Sequence, residues 1–68
     1  MKVVRSKYVC GGQPHIAGTR MTVAHIIRAL MARDVDANAV ILSYPSITRD
    51  HINAALAYAV KKMEQRNG

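Results

Sequence analysis

The chain has no phenylalanine or tryptophan, one cysteine, two prolines and only four acidic residues in 68 positions. Each shortage excludes something. A lone Cys10 forbids an internal disulfide, so a chain short enough to bury only about 60% of its unfolded surface has no covalent staple. One free thiol and the lack of a signal peptide or lipidation pattern lead to the expectation of a cytoplasmic protein. No apolar run approaches the roughly 20 residues that cross a bilayer, so no membrane partner is expected. Four unpaired acids leave no carboxylate dyad, and no glycine-rich phosphate loop with Lys-Ser/Thr is present. Cys10 and His15, five apart across a glycine turn, suit a nucleophile–base pair or half of a metal corner. A structural zinc site wants four ligands, however, and His25 and His51 have no ligand spacing. The expectation is therefore no catalytic residue, no metal, no cofactor and no enzyme. With Tyr8, Tyr44 and Tyr58 as the only aromatics, the stacking platform of an RNA-binding module is also missing.

What is present is half apolar, but ten of those residues are alanine and the large aliphatics are mainly Val and Ile. So thin a core needs help from association, and a homodimer or a heterocomplex is expected. The net charge of +6 is unevenly spread. Residues 1–33 carry Lys2, Arg5, Lys7, Arg20, Arg28 and Arg33 with no acid. Residues 34–60 carry Asp34, Asp36 and Asp50 against Arg49, and the remainder carries Lys61, Lys62 and Arg66 against Glu64. A basic half beside a slightly acidic one suits a polyanion such as nucleic acid on one side, or equally a surface charged for solubility.

The stretch from Cys10 to Val23 holds three of the four glycines and a Gly18-Thr19-Arg20 triplet. Before it, Lys2 to Val9 suits a short edge strand, with His15-Ile16-Ala17 as a returning strand after Pro14. Gly18 allows a positive φ there. After it the pattern is helical. Thr22 caps a first helix through Val23, Ile26, Ile27 and Leu30, ending near Arg33-Asp34, with His25, Arg28 and Ala32 opposite. Asp36 caps a second, with Val35 and Val40 at staple spacing, and Pro45 stops it. Thr48 caps a third, with Ile47 and Ile52 as its staple. Its apolar face is Ile52, Ala55, Leu56, Ala59 and Met63, and it runs to about Gln65.

The expected fold is mainly α: one domain over 1–68, with a β arm and Gly-rich loop over 1–21 and three helices over 22–66. The short link between the last two helices has the layout of a helix-turn-helix, with a plain three-helix bundle as the alternative. As a nucleic-acid binder the chain offers two surfaces. One is the start of the third helix, where Arg49, His51 and Asn53 reach toward base edges and Thr48 toward a phosphate. The other is the basic half, where Arg5, Lys7, Arg20 and Arg28 grip the backbone, while His15 is a weaker contact candidate. For Arg20 a structural role, satisfying loop carbonyls, stands beside the DNA role.

Gly12-Gln-Pro-His-Ile-Ala-Gly-Thr-Arg-Met-Thr-Val23, then Tyr44-Pro45-Ser46-Ile47-Thr48 and Ala55-Leu56-Ala57-Tyr58-Ala59, resemble the small prokaryotic family catalogued as domain of unknown function 433. The resemblance implies a helix-turn-helix-like, homeodomain-like domain with a short N-terminal β element. It further implies similarity to VapB-type antitoxins, which pair with a PIN-like ribonuclease toxin and bind their own double-stranded promoter DNA as dimers, acting as autorepressors. An alternative within that frame is a module that inhibits a partner nuclease without touching DNA, with Lys61, Lys62 or Arg66 entering the nuclease's acidic site. Several positions depart from the family pattern. Gln13 replaces a frequent Lys, Thr22 a frequent Pro, and Asp34 the Gly that usually ends helix one. Asn38-Ala39 and Arg49-Asp50 replace usual acidic pairs, which makes the turn face friendlier to DNA.

Overall fold

The computed structural model describes residues 2–67, with side-chain surroundings through residue 65. It contains two short strands, β1 (Val3–Val4) and β2 (His15–Ile16), followed by α1 (Val23–Met31), α2 (Ala37–Ser43) and α3 (Arg49–Asn67).

The strands pair antiparallel, Val3 with Ile16 and Val4 with His15. The edge strand expected over Lys2–Val9 shrinks to two residues because the chain turns at once, with the Val9 N–H on the Ser6 carbonyl at 3.1 Å. Cys10, Gly11 and Gly12 then form one left-handed turn with φ of 54°, 63° and 82°. Two of its three positions are glycine, which takes this conformation without the Cβ penalty. Beyond β2 the chain folds back at Gly18 (φ 79°). The Ile16 N–H reaches the Met21 carbonyl at 2.9 Å and the Val23 N–H the Pro14 carbonyl at 3.0 Å. Thus β2 lies between β1 and the entry to α1, and both of its side chains are buried. This corrects the expectation for His15. It is 3% exposed, and its Nδ1 lies 3.0 Å from the Gln13 carbonyl, so it faces inward and fixes the hairpin rather than meeting a partner.

α1 forms where its cap predicts. The Thr22 Oγ1 accepts the His25 N–H at 3.0 Å, and Val23, Ile26, Ala29 and Leu30 turn inward. It ends at Met31, short of Arg33-Asp34, because the chain reverses hand. Asp34 and Val35 have φ of 55° and 60°, closed by the Asp36 N–H on the Arg33 carbonyl at 3.0 Å. Two positive φ values in succession are the signature of a mirror-image turn, usually made by Gly or Asn. A β-branched valine there is a genuine outlier. Val35 is consequently 69% exposed while Val40 is fully buried, so the expected staple between them does not close.

α2 is capped by Asp36, whose Oδ1 accepts the Asn38 and Ala39 N–H groups at 3.0 and 3.3 Å. Tyr44 ends it, directly before Pro45. Ile47 and Ile52, the second staple pair, are 1% and 2% exposed and join Ile16, Val23, Ile26, Ala29, Leu30, Val40 and Ala55 in one core. α1 packs chiefly on α3. The core covers only the first half of α3. Leu56 is 39% and Met63 58% exposed, so the long apolar face expected for this helix runs past the core and into solvent. The helix also extends two residues beyond Gln65.

Candidate functional site

At the corner where α2 hands over to α3, most of the polar side chains are engaged with one another. The Thr48 Oγ1 accepts the His51 N–H at 3.2 Å, while the His51 Nδ1 accepts the Thr48 N–H at 2.9 Å. This is a capping box in which an imidazole takes the place usually held by Glu or Gln. The arrangement requires Nδ1 to be unprotonated. Arg49 donates from a terminal guanidinium nitrogen to the Asn38 Oδ1, tying the start of α3 to the start of α2. Asn53, one turn on, is exposed and has no side-chain hydrogen bond among the described residues.

Arg33 is the cation that sequence reasoning passed over here. Its Nε donates to the Ser43 Oγ at 3.0 Å, and its guanidinium lies 5.7 Å over the Tyr44 ring. The His25 ring meets the same tyrosine edge-on at 6.3 Å. Tyr44 is thereby held between α1 and the turn after it, a partnership whose only sequence signal is the Tyr44-Pro45 stop.

In the basic half the loop carbonyl is braced by Arg5 and not by Arg20. Arg5, expected on a DNA backbone, donates from Nε to the Gly12 carbonyl at 3.0 Å and so braces the left-handed turn. Arg20, for which a loop-bracing role stood beside the DNA role, is exposed. Among the described residues its side chain has no hydrogen-bond partner; only its carbonyl is used, accepting from the Cys10 Sγ at 3.2 Å. Arg28 projects from the outer face of α1 and is exposed. Lys7 lies 5.6 Å over Tyr8, and Lys62 sits at the same distance over Tyr58. Lys61 lines a shallow groove of about 260 Å³ between β1 and α3 with Lys2, Val3, Ala54, Ala57 and Tyr58. The side chain of Arg66 lies outside the described residues.

The structure therefore gathers Thr48, Arg49 and His51 at one helix start beside Asn53, and places Arg5, Lys7, Arg20 and Arg28 on the hairpin loops and α1. Cys10 and His15 make no hydrogen bond to each other; each is spent on a different carbonyl. Among the described residues no group of three or more His, Cys, Asp or Glu side chains is placed to hold a metal, and no helix is long and apolar enough to cross a membrane.

A family profile described as "Protein of unknown function (DUF433)" matches residues 3–59, from β1 through most of α3. The chain belongs to the DUF433 family. The fold is similar to the crystal structure of a DUF433 member from Anabaena variabilis, with a TM-score of 0.70 at 28% identity over 93% of this chain. The chain spans 61% of that relative's length. No curated protein matches the sequence.

Proposed function

We propose that this DUF433 chain is the antitoxin of a type II toxin–antitoxin pair. It binds promoter DNA as an autorepressor and neutralises a PIN-like ribonuclease toxin, in the manner of VapB-type antitoxins. The observation that carries the reading is the uneven charge along the chain: six cations and no acid in the first 33 residues, with Lys2, Lys7, Arg20 and Arg28 each exposed. Cations that fold stability does not consume are available to displace counterions from a phosphate backbone.

On this reading α2, the link through Ile47 and α3 form a helix-turn-helix related to homeodomain-like units. Thr48, His51 and Arg49 set the angle and cap of the recognition helix, and Asn53 is the side chain left to read a base edge. Arg20 and Arg28 supply phosphate contacts, with Lys7 as a further one. The test is a mobility shift with the chain's own upstream DNA at low salt. Binding that is reduced at least tenfold in Arg20→Glu and Arg28→Glu supports the reading, and absence of any shift ends it.

A second reading, a protein-interaction module that inhibits a nuclease without DNA, is favoured by one observation. Leu56, Val60 and Met63 are exposed on α3, where a DNA-reading role has no use for them. Lys61, Lys62 and Arg66 on the same helix would then meet the nuclease's acidic site. Co-expression with the adjacent reading frame separates the two readings: a complex that forms with no accompanying DNA binding favours the second.

A further inference from the structure

β1 leaves one pair of main-chain groups unused. Val3 stands opposite Ile16 in the register, and the bonds around that pair identify it as the non-bonded rung of the ladder. The Ala17 N–H meets the Lys2 carbonyl at 2.8 Å, while the Ile16 N–H turns away to the Met21 carbonyl. At such a rung the N–H and C=O of each residue point outward from the pair. β1 has β2 on one side only, so these groups of Val3 lie on its free edge. Among the described residues they have no backbone partner. A free edge is a template for another strand.

The same residue borders the groove of about 260 Å³. Lys2 and Val3 line it from the strand, and Ala54, Ala57, Tyr58 and Lys61 line it from α3. The four helical residues, spaced i, i+3, i+4 and i+7, fall within an arc of about 100°. From Ala54 to Lys61 the helix rises about 10 Å, the span of three residues of extended chain. Ala54 and Ala57 offer methyl groups as a floor. Lys2 and Lys61 are exposed, no acid lines the groove, and Lys62 brings a third cation close by, 5.6 Å over the Tyr58 ring. Asp50 and Glu64 stand on this side of the helix too, one turn before Ala54 and one turn past Lys61. They confine the basic stretch to the groove itself.

We propose that this groove takes a short, extended, acidic segment of a partner protein, laid beside β1 as a third strand. The segment's main chain exchanges hydrogen bonds with Val3, its apolar side chains rest on Ala54 and Ala57, and its alternate carboxylates meet Lys2 and Lys61. A peptide carries a donor and an acceptor at each residue, which is what the two free groups of Val3 require. A phosphate backbone brings acceptors alone, so it leaves the Val3 carbonyl and the apolar floor unmatched. A second copy of the chain fits no better. Residues 1–7 carry Lys2, Arg5 and Lys7 with no acid, and two β1 edges side by side set cation against cation.

The assignment rests on the nuclease-partner reading only for who supplies the segment. Its test needs neither the nuclease nor the operator, so either can fail alone. The probe is a fluorescein-labelled, end-blocked heptapeptide of alternating Val and Glu, titrated against the full chain by fluorescence anisotropy. Saturable binding with a Kd below ~1 mM is expected, with peptide-induced amide shifts in nuclear magnetic resonance centred on Val3 and Ala57. Lys61→Glu should weaken binding about tenfold and transfer the preference to the Val–Lys counterpart of the peptide. Ala57→Leu, which fills the floor from an exposed position, should abolish binding with helical circular dichroism unchanged. A peptide N-methylated along its main chain has no N–H to give and should not bind. Absence of saturable binding overturns the proposal, as does an N-methylated peptide that binds as tightly as the parent. So do amide shifts centred on the hairpin loops, or a random-sequence DNA duplex that displaces the peptide and shifts Val3 and Ala57 in its place.

Discussion

Thr48 and His51 exchange hydrogen bonds in both directions, the Thr48 hydroxyl accepting from the His51 amide and the His51 ring accepting from the Thr48 amide. Two of the unpaired amides at the start of α3 are thereby satisfied. His51→Ala removes one half of the exchange and should cost about 1 kcal/mol, by analogy with lost caps. His51→Glu, which restores a carboxylate acceptor at the same position and adds a favourable charge at the helix start, should recover the loss. Urea midpoints of the three proteins decide it. Equal stability of wild type and His51→Ala would show that the ring contributes nothing.

Val35 holds a left-handed conformation with a β-branched side chain in solvent, a strain of about 1–2 kcal/mol. Val35→Gly relieves it at the cost of extra freedom in the unfolded chain. A net gain of about 0.5–1 kcal/mol is expected, read as a higher denaturation midpoint at unchanged slope. A lower midpoint would mean that Val35 makes an apolar contact worth more than the strain.

The two hairpin arginines should separate stability from binding. Arg5→Ala leaves the Gly12 carbonyl without its charged donor and should lower stability by about 1 kcal/mol, with DNA affinity affected only through folding. Arg20→Ala should leave the unfolding midpoint within about 0.5 kcal/mol of wild type and weaken DNA binding. Paired denaturation and binding curves on both variants check this, and the reverse pattern would reassign the two residues.

Ile47 is buried at the joint between α2 and α3. Its truncation to Ala should cost about 2–5 kcal/mol, enough in a domain of this size to abolish a cooperative thermal transition. A sharp transition retained in Ile47→Ala would show that the joint is not where the core is held.

Local chemistry was the legible part of this sequence. Thr22, Asp36 and Thr48 each begin a helix through a side chain that accepts the free amides, and Pro45 follows directly on the end of α2. Such signals act within three or four residues, so they survive any tertiary context. What depended on the third dimension was harder to read. Nothing within the chain's periodicity says that the core stops midway along α3, because Leu56 and Met63 carry the same apolar spacing as Ile52 and Ala55. The burial of His15 is hidden from the sequence for a similar reason. Its burial follows from β2 being flanked on both sides, and the second flank, Met21 to Val23, has no strand pattern of its own. That Arg5 and not Arg20 braces the loop turns on which carbonyl lies within reach, and that is set by the left-handed turn at Cys10–Gly12. For the helix-start residues, spacing placed Thr48, Arg49 and His51 together but not their mutual engagement, since His is an unusual third member of a capping box.

The claim that the unconsumed cations of the N-terminal half bind DNA is tested most directly by fluorescence anisotropy of the upstream duplex against salt. If Lys2, Lys7, Arg20 and Arg28 each meet a phosphate, the logarithm of the association constant should fall against the logarithm of salt with a slope of about −4 per chain engaged. Arg20→Ala should reduce that slope by about one. A slope near zero, or no binding at the lowest salt, would contradict it.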